Sequence, residues 1–297
     1  MPKRINKAIE LLEMGQPVYM THPEELSYDC GREMSQTWAD VIHMDFEHHF
    51  FDIGGLTKFM KGLKDGGPTP SGHLTPTVLT TLPSNCITVE EVRANAWQMR
   101  HVLSTGAHGI LHTHARDPEA VKWFVAACRY PYQALGRNEL PEGIRGSGGQ
   151  AQPAAIWGVD THTYTDLADP WPLNPKGELL LGLKIEDRHC LPNVDRTAAV
   201  PGIGFAEWGP GDMGMSFGEP DAHDPPYPEF MNEARNTVKN ALDKNGVAFY
   251  SGWNDTSMTE EQRIKFIIEK LGSKLIGAPT REVADIGRKL TGRTMPV

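Results

Sequence analysis

The sequence predicts an α/β fold, a (β/α)8 barrel built as one domain over residues 1–297. Three observations carry this. Short apolar runs alternate with amphipathic helix patterns, and that order requires parallel strands joined by crossover helices. About eight such units follow one another. The 297 residues suit a barrel of roughly 250 residues plus insertions. No G-x-G-x-x-G follows an early strand, so the dinucleotide-binding version of the open doubly wound sheet has no support.

The elements read in order. Residues 5–13 have a helical period, with Ile5, Ile9 and Leu12 on one face. Runs at 18–20 and 41–44 predict the first two strands, the second ending in the polar cluster Asp45, Glu47, His48, His49. Residues 53–64 form a helix closed by Gly66 and Gly67. The β-branched run 77–82 predicts a third strand, stopped by Pro83. Thr88 and Glu91 have capping-box spacing and open a helix that runs to Gly106. A strand at 109–111 precedes His112 and His114, after which Asp117 and Pro118 supply an N-cap and a first helical residue; that helix ends near Cys128. Residues 132–178, rich in Gly and Pro, predict an irregular insertion. Its Tyr132, Trp157, Tyr164 and Trp171 either line a wide pocket or pack at a subunit interface. Strands are expected again at 179–185, 203–207, 247–251 and 274–276, with helices at 228–243, after the Thr259–Gln262 cap, and at 281–290.

The balance of 29 basic and 38 acidic residues gives a net charge of -9, with no strongly basic stretch. This argues against nucleic acid or an anionic membrane as partner. No apolar run approaches the roughly 20 residues that span a bilayer. The start, MPKRINKAIELLEMG, reads as a mixed-charge helix without the apolar stretch of a secretory leader. Cys30, Cys86, Cys128 and Cys190 are widely spaced and read as free thiols in a reducing compartment. A cytoplasmic location is expected.

In such a barrel the loops at the C-terminal strand ends converge, so acids and histidines there are candidates for chemistry. Glu186 and Asp212 close adjacent strands and are either solvated loop acids or a pair suited to a hard divalent cation, Mg²⁺ or Mn²⁺, with Co²⁺ a further candidate. No cysteine or histidine stands at zinc spacing beside them, although His112 and His114 share a face if their strand extends that far. The turn Gly209-Pro210-Gly211-Asp212 is either an ordinary strand–helix turn or a place where free N–H groups receive a substrate carboxylate. Asp45 and His48 have the makings of a proton-transfer dyad, the carboxylate orienting the imidazole.

Several segments, in order, resemble the HpcH/HpaI family of metal-dependent pyruvate aldolases, which includes 4-hydroxy-2-oxoheptanedioate and 2-dehydro-3-deoxyglucarate aldolases. DFEHHFFD at 45–52 resembles the family's D-x-E-H, and GAHGILHTHARDPEA at 106–120 its Gly-containing strand and helix start. RYP at 129–131 and GIRG at 143–146 are similar to R-Y-P-P-x-G-I-R-G split by an insertion. KIED at 184–187 resembles Q-I-E-T, and PGIGFAEWGPGDMGMSFG at 201–218 resembles the family's glycine-rich G-P-x-D segment. The resemblance implies Glu186 and Asp212 as metal ligands, His48 with Asp45 moving the proton, and Glu47 supporting water on the metal. It implies the amides around Gly209, Gly211 and Asp212 as the seat of the pyruvate carboxylate. It also implies a homo-oligomer, a hexamer or trimer, with exchanged C-terminal helices.

The chain departs from the family at three places. Its third strand reads TVLTTLP at 77–83, without the arginine that polarises the 2-oxo group; Thr80, Thr81, His112 and His114 are the substitutes to consider. The following helix ends in LSTG at 103–106 without the usual acid, and YMTHPEE at 19–25 lacks a tryptophan. The expected reaction is reversible aldol cleavage of a 4-hydroxy-2-oxo acid to pyruvate and an aldehyde. The alternatives are oxaloacetate decarboxylation or a metal-enolate lyase on a bulkier aromatic substrate, and a non-catalytic carboxylate-binding barrel.

Overall fold

The computed structural model describes residues 2–297. α1 (Lys7–Glu13) leads to β1 (Val18–Thr21), followed by α2 (Tyr28–Met34), β2 (Val41–Asp45), α3 (Ile53–Asp65), β3 (Thr77–Asn85), α4 (Val89–Ser104), β4 (Gly109–Thr113) and α5 (Pro118–Ala127). Then come α6 (Ala151–Trp157), α7 (Thr161–Leu167), β5 (Pro170–Trp171), β6 (Leu179–Lys184) and α8 (Val194–Ala198). The chain continues through β7 (Phe205–Glu207), α9 (Pro210–Phe217), α10 (Glu229–Asn245), β8 (Ala248–Tyr250), α11 (Glu260–Glu269), β9 (Leu275–Gly277) and α12 (Arg281–Leu290). The strands pair in the order β4-β3-β2-β1-β9-β8-β7-β6, all parallel, and a β4–β6 pairing closes the ring. The expected barrel is thus formed by eight strands, and β5 adds a short rung beside β6.

Strand alternation divides the core in two. Val18, Met20, Val41, Leu79, Leu111, Leu180, Phe205 and Leu275 meet inside the barrel. Gly182 makes room there: a Cβ on it would lie 2.3 Å from the Phe205 ring. Ala8, Ile9 and Leu11 of α1 join this inner cluster, so α1 is the barrel's floor and not one of its outer helices. Its buried face therefore differs from the Ile5–Ile9–Leu12 stripe that periodicity suggests. Outward residues such as Ile42, Val78, Ile110 and Leu181 pack under Phe59, Val102, Phe124 and Val238.

Local signals hold with two exceptions. Thr259 and Gln262 form a complete capping box. Thr88 accepts from the Glu91 N–H at 3.2 Å, but the Glu91 carboxylate turns to the Asn85 N–H, so that box is half made. β3 passes through Pro83 to Asn85, because Pro83 is exposed and its missing donor falls where the β3–β4 register shifts, between Thr81 and Asn85.

The stretch 132–178 is more regular than expected, holding α6, α7 and β5. Helices of seven residues are too short to show a period in sequence. Trp157 and Tyr164 line neither a substrate pocket nor an outer face. Both are buried, with Trp157 donating to the Gly106 carbonyl at 2.9 Å and stacking on His108. Arg129 clamps Asp169 with Nε–Oδ1 2.6 Å and Nη2–Oδ2 3.3 Å.

A buried ionic knot joins the chain's ends to β1 and β2. Asp40 accepts from both terminal nitrogens of Arg293, each at 2.6 Å, and from the Tyr19 N–H at 3.0 Å. Lys7 of α1 lies 3.1 Å away, and Arg288 of α12 3.8 Å. All four cysteines are free thiols, three of them buried. Among the described residues no helix is long and apolar enough to cross a membrane.

Candidate active site

Above its apolar floor the barrel interior turns ionic. The inward positions at the strand tops are His43 and Asp45 on β2, Thr81 on β3, Lys184 on β6, Glu207 on β7 and Tyr250 on β8. Lys184 and Glu207 are register partners. The Lys184 Nζ contacts a Glu47 oxygen and lies 2.8 Å from Glu186 Oε2. Burial works against its charge, but Glu207, Glu186 and Glu47 outweigh burial and hold the ammonium protonated. Glu186 is fully buried; its Oε1 accepts from the His114 N–H at 3.1 Å, while Oε2 is the oxygen paired with Lys184. Burial raises the Glu186 carboxyl despite the pull of Lys184. It lifts Glu207 to about 8, with Lys184 pulling down and Glu186, Glu47 and Asp45 pushing up. One ammonium therefore balances these acids incompletely.

Asp45 and His48 form the dyad that the sequence suggests. Asp45 Oδ2 lies 2.7 Å from His48 Nδ1, and its Oδ1 accepts the N–H groups of Glu47 and His48 at 2.9 and 3.2 Å. The Asp45 bond raises the His48 pKa, opposed by some burial. The ring is mostly exposed, so its far nitrogen faces solvent or substrate. Beside the dyad opens a cavity of about 600 Å³ lined by His22, His43, Asp45, Phe46, His49 and Phe50 among others.

His112 and His114 do not share a face, because β4 ends between them. His112 is wholly buried on the outer side, edge-on to Phe124 at 4.9 Å, and cannot act at the site. His114 is the one non-glycine of the described residues with positive φ, +47°. Such strain persists only where surroundings enforce it. Here Asp187 Oδ2 sits 3.0 Å from His114 Nδ1 and accepts from Arg116 Nε at 3.0 Å. The Asp187 bond raises the His114 pKa. Its Nε2 is turned to within 3.8 Å of Glu186 and 3.9 Å of Glu47.

Among the described residues, two sets of three metal-competent side chains have ligand atoms within 4.8 Å of one another: Asp45, Glu47, His48 and Glu47, His114, Glu186. Glu47 links them. Asp212 belongs to neither set, but its helix starts beside Glu186: a Cβ on Gly209 would lie 3.0 Å from Glu186 Oε2. Gly209 caps α9 without a side-chain acceptor, so the first-turn amides of Gly211 and Asp212 are open, and Gly211 faces free space. Ser216 of α9 accepts from the Arg188 N–H at 2.9 Å, which ties this helix to the loop after Glu186.

The family model for HpcH/HpaI aldolase/citrate lyase matches residues 76–269. The chain belongs to this family. The 2-keto-3-deoxy-L-rhamnonate aldolase of Klebsiella pneumoniae is 28% identical over 151 residues, 51% of this chain and 49% of that protein. The hydroxypyruvate/pyruvate aldolase of Chromohalobacter salexigens is 27% identical over 63% of this chain and 67% of that protein. The chain thus matches about half to two thirds of these relatives' length. An HpcH/HpaI aldolase/citrate lyase family protein from Burkholderia cenocepacia superposes with TM-score 0.66 at 19% identity, covering 93% of this chain and 94% of that one. The citrate lyase beta subunit from M. tuberculosis, solved with oxaloacetate and magnesium, has TM-score 0.53 at 11% identity over 92% of this chain and 96% of that one.

Sequence order alone does not reveal that Lys184 and Glu207 are partners at this HpcH/HpaI site. Lys184 was legible: KIED carries lysine where the family's Q-I-E-T begins with glutamine. Glu207 stood at a strand end, but only the register shows that it faces Lys184. Asp187 and Arg116 set the His114 ring, and nothing in their spacing announces it.

Proposed function

We propose that this barrel is a divalent-metal-dependent carbon–carbon lyase that reversibly cleaves a 4-hydroxy-2-oxo acid to pyruvate and an aldehyde. The observation that carries the reading is the Asp45–His48 dyad and the buried Glu186 meeting around Glu47 at one barrel mouth. The aldolase names of the relatives favour this reaction over oxaloacetate decarboxylation or a silent barrel. The residues present fit a hard cation: oxygen donors dominate, their acids exceed the one ammonium, and ligand atoms of Glu47, His114 and Glu186 lie within 4.8 Å of one another. Glu186 and Asp212 would hold it, with Glu47 and His114 adjoining, and Mg²⁺ or Mn²⁺ suits the set. When bound, the cation supplies Lewis-acid charge opposite the 2-oxo oxygen.

The chain's own groups do the rest. The Gly211 and Asp212 amides receive the pyruvate carboxylate at the positive end of α9. His48, oriented by Asp45, takes the 4-hydroxyl proton. The C3–C4 pair then collapses toward C2, the aldehyde leaves, and negative charge gathers on the former oxo oxygen. The Lys184 ammonium faces that charge and supplies the positive group that TVLTTLP lacks. The proton held by His48 returns to C3 and completes pyruvate. The cavity beside the dyad houses the aldehyde portion.

The test is exchange of pyruvate methyl protons in D₂O, followed by NMR. Exchange should vanish with chelator and return with Mn²⁺; full exchange in chelator would overturn the reading. His48→Ala should slow exchange and cleavage by about 100-fold, at the low end of the general-base range, with Mn²⁺ affinity unchanged by calorimetry. Asp45 raises the His48 pKa, and only the neutral ring accepts a proton. Asp45→Asn should therefore move the acidic limb of the rate profile to lower pH while reducing its plateau.

A further inference from the structure

The RYP and GIRG segments lie outside the chemistry above, yet they meet at a second cavity. It measures about 470 Å³ and lies between the start of α3, the end of α4 and the loop before α6. Arg145, Arg100 and His101 line it, with Tyr130, Ser147 and Gly149; among the described residues its lining contains no Asp or Glu. That is notable in a chain of net charge -9.

Arg145 is the centre of the argument. It is 3% exposed, and among the described residues no carboxylate pairs with it. Its guanidinium stacks on Tyr130 at 4.4 Å and on Tyr164 at 5.6 Å. Nη2 donates to the Tyr164 hydroxyl at 2.9 Å, while Nη1 is buried without a partner. A buried guanidinium left unpaired is costly unless something supplies the missing charge. Arg129, likewise buried, differs in being clamped by Asp169. Around the cavity, the exposed Arg100 side chain has no acidic partner among the described residues, and Ser147 and Gly149 bring a hydroxyl and flexible backbone. A planar fork held on two aromatic faces is suited to a phosphate or carboxylate group.

We infer that this cavity is a second ligand site, separate from the barrel mouth, for a compact multivalent anion bearing phosphate or carboxylate groups. Arg145 anchors the anion and Arg100 and His101 close over it. The volume falls in the range of small-metabolite pockets.

Calorimetry on the full chain with inorganic phosphate, and separately with citrate, tests this and shows which group is preferred. At least one should bind with Kd below about 1 mM. Arg100→Glu, an exposed change, should weaken binding at least tenfold without altering the melting temperature. Arg145→Gln should do the same, provided that its circular dichroism remains that of the parent. Pyruvate methyl exchange should be unchanged in Arg100→Glu, so a failure here stands apart from a failure of the aldol reading. Binding undiminished in both variants places the anion elsewhere and overturns the inference. Absence of binding by either anion overturns it too, as does a changed oligomeric state of Arg100→Glu without anion binding, which would make this face a contact between copies.

Discussion

Glu186→Gln should lower pyruvate release by more than about 10³-fold, and it should weaken Mn²⁺ binding to the same protein by about two orders of magnitude. The reasoning starts from position. Glu186 is fully buried, so its charge is expensive and its contacts are strong. One oxygen is engaged by the His114 N–H and the other lies 2.8 Å from the Lys184 ammonium. Glutamine keeps the volume and removes the charge. Lys184→Gln is the informative partner. It too should reduce turnover, by about 100-fold, because a preorganised charge facing the developing enolate is lost. Its effect on Mn²⁺ should have the opposite sign. Removing the one ammonium from among Glu47, Glu186 and Glu207 leaves the acids less compensated, so affinity should rise by about tenfold. Calorimetry and steady-state assay on the two variants separate these outcomes. Unchanged turnover in Lys184→Gln would reduce the lysine to a structural counter-ion.

The sequence displays those parts of the site that depend on order along the chain. Asp45 and His48 are three apart at a strand end, and a tight turn there brings carboxylate to imidazole. The barrel itself follows from alternation, because parallel strands with helical crossovers have few closed solutions. What the sequence hides is set by contacts between distant strands. His112 and His114 look equivalent until β4 stops between them and a left-handed residue turns one inward. α1 has a helical period, but which face it buries depends on a barrel floor assembled from Leu79, Leu180 and Phe205. Lys184 was visible as a lysine in a glutamine's place, while its role needs Glu207 from the next strand and Glu47 from 137 residues earlier. The Arg145 cavity lies at the far end of the same scale. The two rings that hold the Arg145 guanidinium come from either side of α6, and only packing joins them.

The Asp40 knot yields a stability prediction as large as the catalytic ones. Asp40→Asn should cost about 3–5 kcal/mol, the range for breaking a buried ion pair from one side. For a chain of this size that corresponds to a fall of about 10 °C in melting temperature, readable by calorimetry. The cost is high because the partners stay behind. Lys7 is 1% exposed, and burial already lowers its pKa against the pull of Asp40, so the lysine would be left buried with nothing to hold its proton. Arg293 would lose both of its 2.6 Å bonds, releasing the segment after α12 from β2. The pH dependence fixes the sign. Burial pushes the Asp40 carboxyl up, but Arg293, Lys7 and Arg288 pull harder and bring it from 3.8 to about 2. A group depressed in the folded state stabilises above its unfolded pKa and loses that contribution as pH falls through its folded value. For Asp40 the contribution is about 2 kcal/mol at neutral pH and disappears between about pH 4 and pH 2. The melting temperatures of parent and Asp40→Asn should therefore converge across that window, because protonation removes in the parent the charge that the variant never had. A difference that stays constant down to pH 2 would show that the charge on Asp40 contributes little, and that its shape and hydrogen bonds hold the knot together.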